Sequence, residues 1–169
     1  MLEVNYLGMV RVARAVLPGM RRAGAGHIVN VSSMLGFMGC YGYSAYAASK
    51  YAIAGFTECL RQELLPEGIR VSICYPPTTD TPGLAKENEV KPPETAAIEG
   101  SSRTFTADEV AASLLAGVAR GRFEILVGLD SALVWRLHRF APWLLRWATD
   151  RILRKHRAAT LAAPARPAM

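Results

Sequence analysis

Residues 26–50 read GHIVNVSSMLGFMGCYGYSAYAASK, and this stretch decides the fold. Its segment 27–32 is short, rich in β-branched residues and flanked by turn residues, which predicts a buried strand. After a glycine- and aromatic-rich loop over 34–43, an alanine-rich helix is predicted over 44–65, with Ser44 as its N-cap. A strand that leads through a loop into a long helix is the building unit of a parallel α/β sheet.

The same alternation continues on both sides of this stretch. The predicted elements are a helix over 3–23, strands at 69–75 and 123–128, a helix over 106–120, and a long loop with short helical turns over 76–104. Thr106 and Glu109 have the spacing of a capping box at the start of a helix. We therefore expect an α/β fold, a partial doubly wound (Rossmann-like) parallel sheet followed by C-terminal amphipathic helices.

The composition indicates one globular domain without a disulfide framework or a metal site. The chain has 169 residues, of which 51% are hydrophobic and 20% charged, and this excludes wholesale disorder. Its three cysteines and three histidines are scattered, without the spacing that zinc ligands need. No apolar run reaches the length of a membrane span, and the opening MLEVNYLGMVRVAR does not have the pattern of a signal peptide.

The net charge of +6 lies entirely in the last quarter of the chain. Residues 1–128 contain twelve Lys and Arg and twelve Asp and Glu, so they are neutral. Residues 129–169 contain eight Lys and Arg against two Asp and Glu, together with all three tryptophans. Proteins that bind nucleic acid more often carry positive charge on the folded body, so we expect no nucleic-acid partner.

The basic, tryptophan-rich segment 129–157 is predicted to form amphipathic helices over 131–157, divided by Pro142. One face is expected to contain the apolar residues Leu133, Leu137, Phe140, Leu144 and Ala148. The other is expected to contain the charged residues Arg136, Arg139, Arg146, Asp150, Arg154 and Arg157. With tryptophans suited to the headgroup boundary, this composition is typical of helices that lie in a membrane interface.

A second interpretation of these helices stays open. They could be ordinary amphipathic helices that cover the sheet or a dimer face and turn a solvated basic side outwards. A transmembrane span is not expected, because arginines interrupt every apolar run. The last residues, 158–169, are predicted to be a disordered tail.

Tyr46 and Lys50 form the central chemical pattern. They are four residues apart on the predicted helix, so they lie on one face, and an ammonium near a phenol is expected to lower the phenol pKa. Tyr46 is then a candidate general acid that protonates a carbonyl oxygen as hydride arrives. Ser33 follows the strand at 27–32 and could hold the same oxygen, because ligands of parallel sheets bind at the carboxyl ends of strands. The alternatives are an ordinary helix surface and a strand-end cap.

Together these motifs resemble the short-chain dehydrogenase/reductase family. The resemblance rests on GHIVNVSS at 26–33, YAASK at 46–50 and the strand at 69–75 followed by proline. Asn5-Tyr6-Leu7-Gly8 matches the Asn-x-x-Gly that opens a helix in that family, so the resemblance implies a catalytic set of Asn5, Ser33, Tyr46 and Lys50. In this set Asn5 holds a water that links the lysine to a proton relay.

The resemblance also implies cofactor contacts. Tyr46, Lys50, Pro76 and Thr81 are expected at the nicotinamide cofactor, with Lys50 on the ribose and Thr81 on the carboxamide. Pro76-Pro77 departs from the family's usual Pro-Gly and points to a subfamily.

Within the family, the chain resembles the 3-ketodihydrosphingosine reductases. The similar stretches are YGYSA at 41–45, PPTTDTPG at 76–83, Glu87-Asn88, KPPET at 91–95 and RGRF at 120–123. They imply NADPH-dependent reduction of the ketone of 3-ketosphinganine, a long-chain sphingoid substrate, on the cytoplasmic side of a membrane. The membrane would be a bacterial inner membrane or the endoplasmic reticulum, depending on the source. Helices that flank the active site build oligomers in the family, which implies a homo-oligomer.

Two other functions stay open. One is a reductase or dehydrogenase of another hydrophobic ketone or alcohol, such as a retinoid, a steroid or a fatty-acyl derivative. The other is an inactive remnant that binds membranes or pairs with a full-length homologue through the helices over 3–23 and 44–65.

The resemblance further implies that Asn5 follows about 110 residues of cofactor-binding fold, whereas four residues precede it here. We therefore expect a truncated form in which 1–128 is the catalytic half of the domain and the glycine-rich pyrophosphate turn is missing. An uncovered sheet edge at 27–32 and weak or no NADPH binding are the expected consequences. These residues do not decide between NADH and NADPH.

Overall fold

The protein is described by a computed structural model over residues 1–100 and 102–162. A π-helical turn over Glu3–Leu7 leads into the first helix. The helices are α1 (Gly8–Ala23), α2 (Ser44–Leu64), α3 (Pro82–Val90), α4 (Pro93–Glu99), α5 (Ala107–Ala119), α6 (Gly128–Phe140) and α7 (Pro142–Ala162). The strands are β1 (Gly26–Val31), β2 (Ile69–Tyr75), β3 (Thr79–Asp80), β4 (Phe105–Thr106) and β5 (Glu124–Leu126).

The main sheet is parallel and has the order β1-β2-β5. Helix α2 connects β1 to β2, which is the crossover that parallel neighbours require. This arrangement confirms the predicted α/β fold class. Among the described residues β1 has a partner on one side only, and its last residue, Val31, is 48% exposed.

Helices cover both faces of the sheet because side chains alternate along a strand. On one face Val71 and Ile73 of β2 contribute to clusters that contain Leu64 and Ile53 of α2. On the other face Cys74 belongs to a cluster against which α5 packs. The sheet is therefore doubly wound, and its central strand is buried over nearly its whole length.

A buried polar pair fixes α2 against β1. The Asn30 amide donates to Thr57 Oγ1 at 2.9 Å, and the Thr57 hydroxyl donates to the carbonyl of Ile53 at 2.6 Å. Both side chains are buried, so the amide has no water to replace this partner. The pair fixes the helix that carries Tyr46 relative to the strand that precedes Ser33.

Most predicted element bounds lie within a residue or two of the observed ones, and the capping box of Thr106 and Glu109 is present. Ser44 is not the N-cap of α2: it is the first helical residue, and Tyr43 occupies the cap position without a side-chain cap bond. The predicted loop over 76–104 contains α3 and α4, each with a proline in its first turn. Proline is pre-organised for that position, which is why these short helices form.

The predicted C-terminal face is wrong in its details. Ala141 has non-helical backbone angles (φ −142°, ψ 57°), so the chain changes direction between α6 and α7. The side chains of the two helices therefore do not form one continuous face. Leu133, Phe140 and Leu144 are exposed, whereas Ala148 lines a cavity between the C-terminal helices and the body. Residues 158–162 are helical rather than disordered, consistent with the high helix propensity of alanine; the rest of the predicted tail, 163–169, lies outside the described residues.

None of the helices in the described part of the chain is long and apolar enough to cross a bilayer.

Candidate active site

A cavity of about 1090 Å³ lies at the carboxyl ends of β1 and β2. The loops that follow these two strands form one wall, and α3 and α4 form another. The C-terminal helices close it with the side chains of Val134, Leu145 and Ile152. The position is the one expected for a ligand site of a parallel sheet, and the cavity is large enough for the polar end of a lipid.

Ser33 and Tyr46 share the wall of this cavity. Ser33 comes two residues after β1, where its hydroxyl accepts the Leu35 backbone N–H at 3.2 Å, and Tyr46 lies in the first turn of α2. Burial raises the pKa of Tyr46, a hydrogen bond with Ser33 lowers it, and the charge of Glu87 raises it again. The predicted convergence of the two hydroxyls is thus observed.

Lys50 is one turn further along α2, but it does not lower the pKa of Tyr46 as the sequence predicted. Its ammonium lies 5.5 Å from the centre of the Tyr46 ring and donates to the carbonyl of Val31 at 3.3 Å. Burial lowers the pKa of Lys50 itself. The prediction was wrong because spacing on a helix does not reveal burial, which dominates both pKa values.

Asn5 is brought to the same helix from the N-terminal turn. Its amide donates to Ser49 Oγ at 3.0 Å, and the Ser49 hydroxyl donates to the carbonyl of Tyr46 at 2.7 Å. Ser49 is fully buried, so this chain of hydrogen bonds ties Asn5 to the backbone of Tyr46. Sequence reasoning did not assign Ser49 this positioning role, although it lies between Tyr46 and Lys50 in the motif.

Pro76 and Thr81 also line the cavity. The Pro76 carbonyl accepts the backbone N–H of Met34 at 3.1 Å, which ties the loop after β2 to the loop after β1. The Thr81 hydroxyl accepts the Leu84 backbone N–H at 3.2 Å and caps α3. Their cofactor contacts stay predictions, as do the catalytic roles of Asn5, Ser33, Tyr46 and Lys50.

The residues present fit the nicotinamide end of a dinucleotide. An ammonium has three donors, and Lys50 uses one of them on Val31 among the described residues. Lys50 is not among the described residues that line the cavity, and two of its donors remain for the ribose hydroxyls of a bound dinucleotide. Tyr46 and Lys50 are thus the residues that would hold the ribose, and Pro76 and Thr81 would contact the carboxamide.

Sequence reasoning also missed an acidic side chain in this cavity. Glu87 of α3 lines it and accepts a hydrogen bond from the phenol of Tyr43 at 2.5 Å. The two residues are 44 positions apart, so only the fold brings them together. The available signal was the Glu87-Asn88 pair within the stretches that suggested the subfamily.

The sequence model of the short chain dehydrogenase family matches residues 1–92, more than half of the chain. This chain is a short-chain dehydrogenase. The matched region contains Asn5, Ser33, Tyr46, Lys50 and Thr81, so the short-chain dehydrogenase match covers every predicted site residue.

The chain is also similar to curated relatives whose names are more specific than that of the family. This short-chain dehydrogenase is 40% identical over 130 residues to the 3-ketodihydrosphingosine reductase of Bos taurus. It is 43% identical over 130 residues to the 3-dehydrosphinganine reductase of Danio rerio. In both cases the alignment covers 77% of this chain and 39% of the relative, so the chain spans about two fifths of their length.

A solved structure gives the same fold. The short-chain dehydrogenase of Burkholderia cenocepacia, determined in complex with NADP, superposes with a TM-score of 0.72 at 26% identity. The match covers 88% of this chain and 56% of that one. Together with the family, it supports a nicotinamide cofactor for this chemistry.

Proposed function

We propose that the protein reduces the ketone of 3-ketosphinganine to the alcohol of sphinganine with NADPH. The observation that carries the proposal is the pair of hydroxyls, Ser33 and Tyr46, on the wall of a cavity that apolar side chains close. Relatives at 40% and 43% identity that are named for this reaction support the substrate. The NADP in the Burkholderia cenocepacia structure supports the phosphorylated form of the cofactor.

The site residues divide the chemistry among them. A bound nicotinamide supplies the hydride that reaches the ketone carbon. The phenol of Tyr46 donates its proton to the ketone oxygen, so that C=O becomes CH–OH, and the Ser33 hydroxyl holds that oxygen in line. The raised pKa of Tyr46 keeps the phenol protonated through neutral pH, as a proton donor requires.

The supporting residues keep Tyr46 in place. The Lys50 ammonium lies 5.5 Å from the centre of the Tyr46 ring and ties α2 to the end of β1 through the carbonyl of Val31. Asn5, through Ser49, fixes the first turn of α2. Substituting Lys50 or Asn5 is expected to disturb the orientation of the phenol, or the return of a proton to it, rather than the binding of the substrate.

A panel of ketones tests the proposal. The natural gene product is assayed for oxidation of NADPH and of NADH with 3-ketosphinganine, a steroid ketone, a retinal and a fatty-acyl ketone. The proposal predicts the highest kcat/KM for 3-ketosphinganine with NADPH. A faster rate with one of the other ketones would assign the protein to another branch of the family, and turnover of none would favour the non-enzymatic alternative.

We further propose that α6 and α7 bind the surface of an anionic membrane. Their outward side exposes large apolar residues, with Leu129 at 89%, Phe140 at 75% and Trp143 at 62%. Their inward side forms part of the cavity wall. A lipid substrate could therefore pass from the membrane surface into the site along the same pair of helices.

Charge supports an anionic surface. The exposed arginines of these helices include Arg136, Arg146 and Arg154, in the segment that carries the whole excess positive charge. Arg139 and Arg151 lie over the rings of Trp135 and Trp147, at 5.4 and 5.5 Å. Paired arginine and tryptophan side chains suit the boundary between headgroups and acyl chains.

Sedimentation with vesicles tests the membrane proposal. We expect binding to vesicles that contain phosphatidylglycerol and little binding to pure phosphatidylcholine. Arg136→Gln should weaken binding about fivefold, since a basic residue near an anionic surface contributes about 1 kcal/mol, and Trp143→Ala should weaken it further. Matched controls are Arg14→Gln on α1 and Leu115→Ala on α5, both exposed positions of the body. Equal losses in the controls would contradict the proposal.

A further inference from the structure

Glu87 lies beside Tyr46 in the active-site cavity, with one aromatic ring between them. The phenol of Tyr43 donates to Glu87 Oε1 at 2.5 Å, and the Tyr43 ring packs edge-on against the Tyr46 ring at 6.1 Å between centroids. All three side chains line the same cavity. A negative charge is therefore held close to the group that faces the reacting ketone.

The neighbouring lysine is shared between this carboxylate and a second one. Lys91 Nζ lies 2.7 Å from Glu99 Oε2 and 3.6 Å from Glu87 Oε1, so its closer partner is Glu99. Glu87 Oε2 accepts no hydrogen bond from the residues that the structure describes. Of the other charged groups that line the cavity, Glu99 pairs with Lys91, Arg103 pairs with Glu109, and Asp130 is an acid. One lysine thus serves two carboxylates, and the second oxygen of Glu87 is left to accept a hydrogen bond from a ligand in the cavity.

The proposed substrate carries the matching cation. In 3-ketosphinganine a primary amine is bonded to the carbon next to the ketone carbon, and its protonated form is an ammonium. Steroid, retinoid and fatty-acyl ketones have no cation at this place. A charge-assisted hydrogen bond from ammonium to carboxylate would therefore separate the sphingoid ketone from all of them.

We propose that Glu87 is the specificity-determining residue for amino ketones: its carboxylate binds the substrate ammonium while the ketone oxygen faces Tyr46 and Ser33. The inference rests on the proposed reductase function and names the group that recognises its substrate class. The charge of Glu87 is also one cause of the raised pKa of Tyr46. A bound ammonium offsets that charge, so an amino ketone makes Tyr46 a stronger acid than a plain ketone does.

Ligand binding tests the inference without turnover. The probes for calorimetry are a short-chain 2-amino-1,3-diol, its N-acetyl derivative and the 1,3-diol of equal length without the amine. We expect the natural protein to bind the amine about tenfold more tightly than either neutral probe, as one partly exposed charge-assisted bond allows. Because N-acetylation acts on the ligand, this arm does not depend on how any variant folds.

Three variants test whether the preference for the amine depends on Glu87. Glu87→Gln should remove the preference for the amine, and Tyr43→Phe, which retains the carboxylate, should keep most of it. Glu89→Gln, an exposed acid on the same helix, is the matched control and should keep all of it. The inference is overturned if the natural protein binds the three probes equally, or if Glu87→Gln retains the natural preference.

Turnover separates this inference from the function on which it rests. If the protein reduces 3-ketosphinganine and its deaminated analogue with equal kcat/KM, the reductase stands and the role of Glu87 is wrong. If it reduces neither ketone, the reductase proposal fails, and the binding preference still decides whether Glu87 recognises an ammonium.

Discussion

The body of the protein contains its most deeply buried apolar residues, whereas many large apolar residues of the C-terminal helices are exposed. Leu64 and Ile53 of the body are almost fully buried, whereas Leu133 and Trp143 of the helices are mostly exposed. Residues 1–128 are electrically neutral, and the excess charge follows them. The body therefore holds the site in place. The C-terminal helices line that site on their inward side and expose apolar residues on their outward side.

The largest expected effect concerns stability. Leu64→Ala should lower the free energy of unfolding by about 2–5 kcal/mol, because it leaves a cavity in a packed cluster. Trp143→Ala removes a larger side chain but should change it by less than about 0.5 kcal/mol, because the ring is exposed. Urea denaturation of both variants measures this contrast, and equal losses would show that the helices are part of the core.

A smaller difference in stability is expected for variants of the buried pair of Asn30 and Thr57. Thr57→Val keeps the shape but leaves the Asn30 amide without its acceptor, so we expect a loss of about 1–3 kcal/mol. Thr149→Val on α7 is the control, since that hydroxyl also donates to the carbonyl four residues before it and accepts no hydrogen bond from a side chain in the described part of the chain. Thermal unfolding should separate the two, and a control that loses as much as Thr57→Val would contradict the account.

The smallest expected effect is a shift in the pH dependence of the reduction rate. The shift should be towards higher pH in one variant and towards lower pH in another. A proton donor works below its pKa, so the rate falls as pH rises through the pKa of Tyr46. The hydrogen bond from Ser33 lowers that pKa and the charge of Glu87 raises it. Ser33→Ala should therefore move the alkaline limb to higher pH, and Glu87→Gln to lower pH. Shifts of the same sign in both variants would rule out this explanation of the profile.

Sequence reasoning was most successful where function depends on local spacing. Ser33 follows its strand and Tyr46 opens the next helix, so a strand–loop–helix unit alone brings them together. The pair of Tyr43 and Glu87 could not be predicted, because it depends on how α3 folds over the loop before α2. Burial, which sets the pKa values of Tyr46 and Lys50, was invisible for the same reason.

The C-terminal helices were predicted to exist, but not to form a wall of the cavity. Their inward side became evident only once the break before Pro142 had set the direction of α7. Membrane contact, the cytoplasmic location and a homo-oligomer stay predictions for this region and this protein.

The most direct test is the rate of Tyr46→Phe in the natural gene product. With 3-ketosphinganine and NADPH, the account predicts a kcat about 100- to 10,000-fold below that of the natural protein, because the proton donor is gone. The dissociation constant for NADPH should change far less than kcat, since Lys50 keeps its donors for the ribose. A kcat close to the natural value would contradict the assignment of Tyr46 as the proton donor, and with it the proposed reductase.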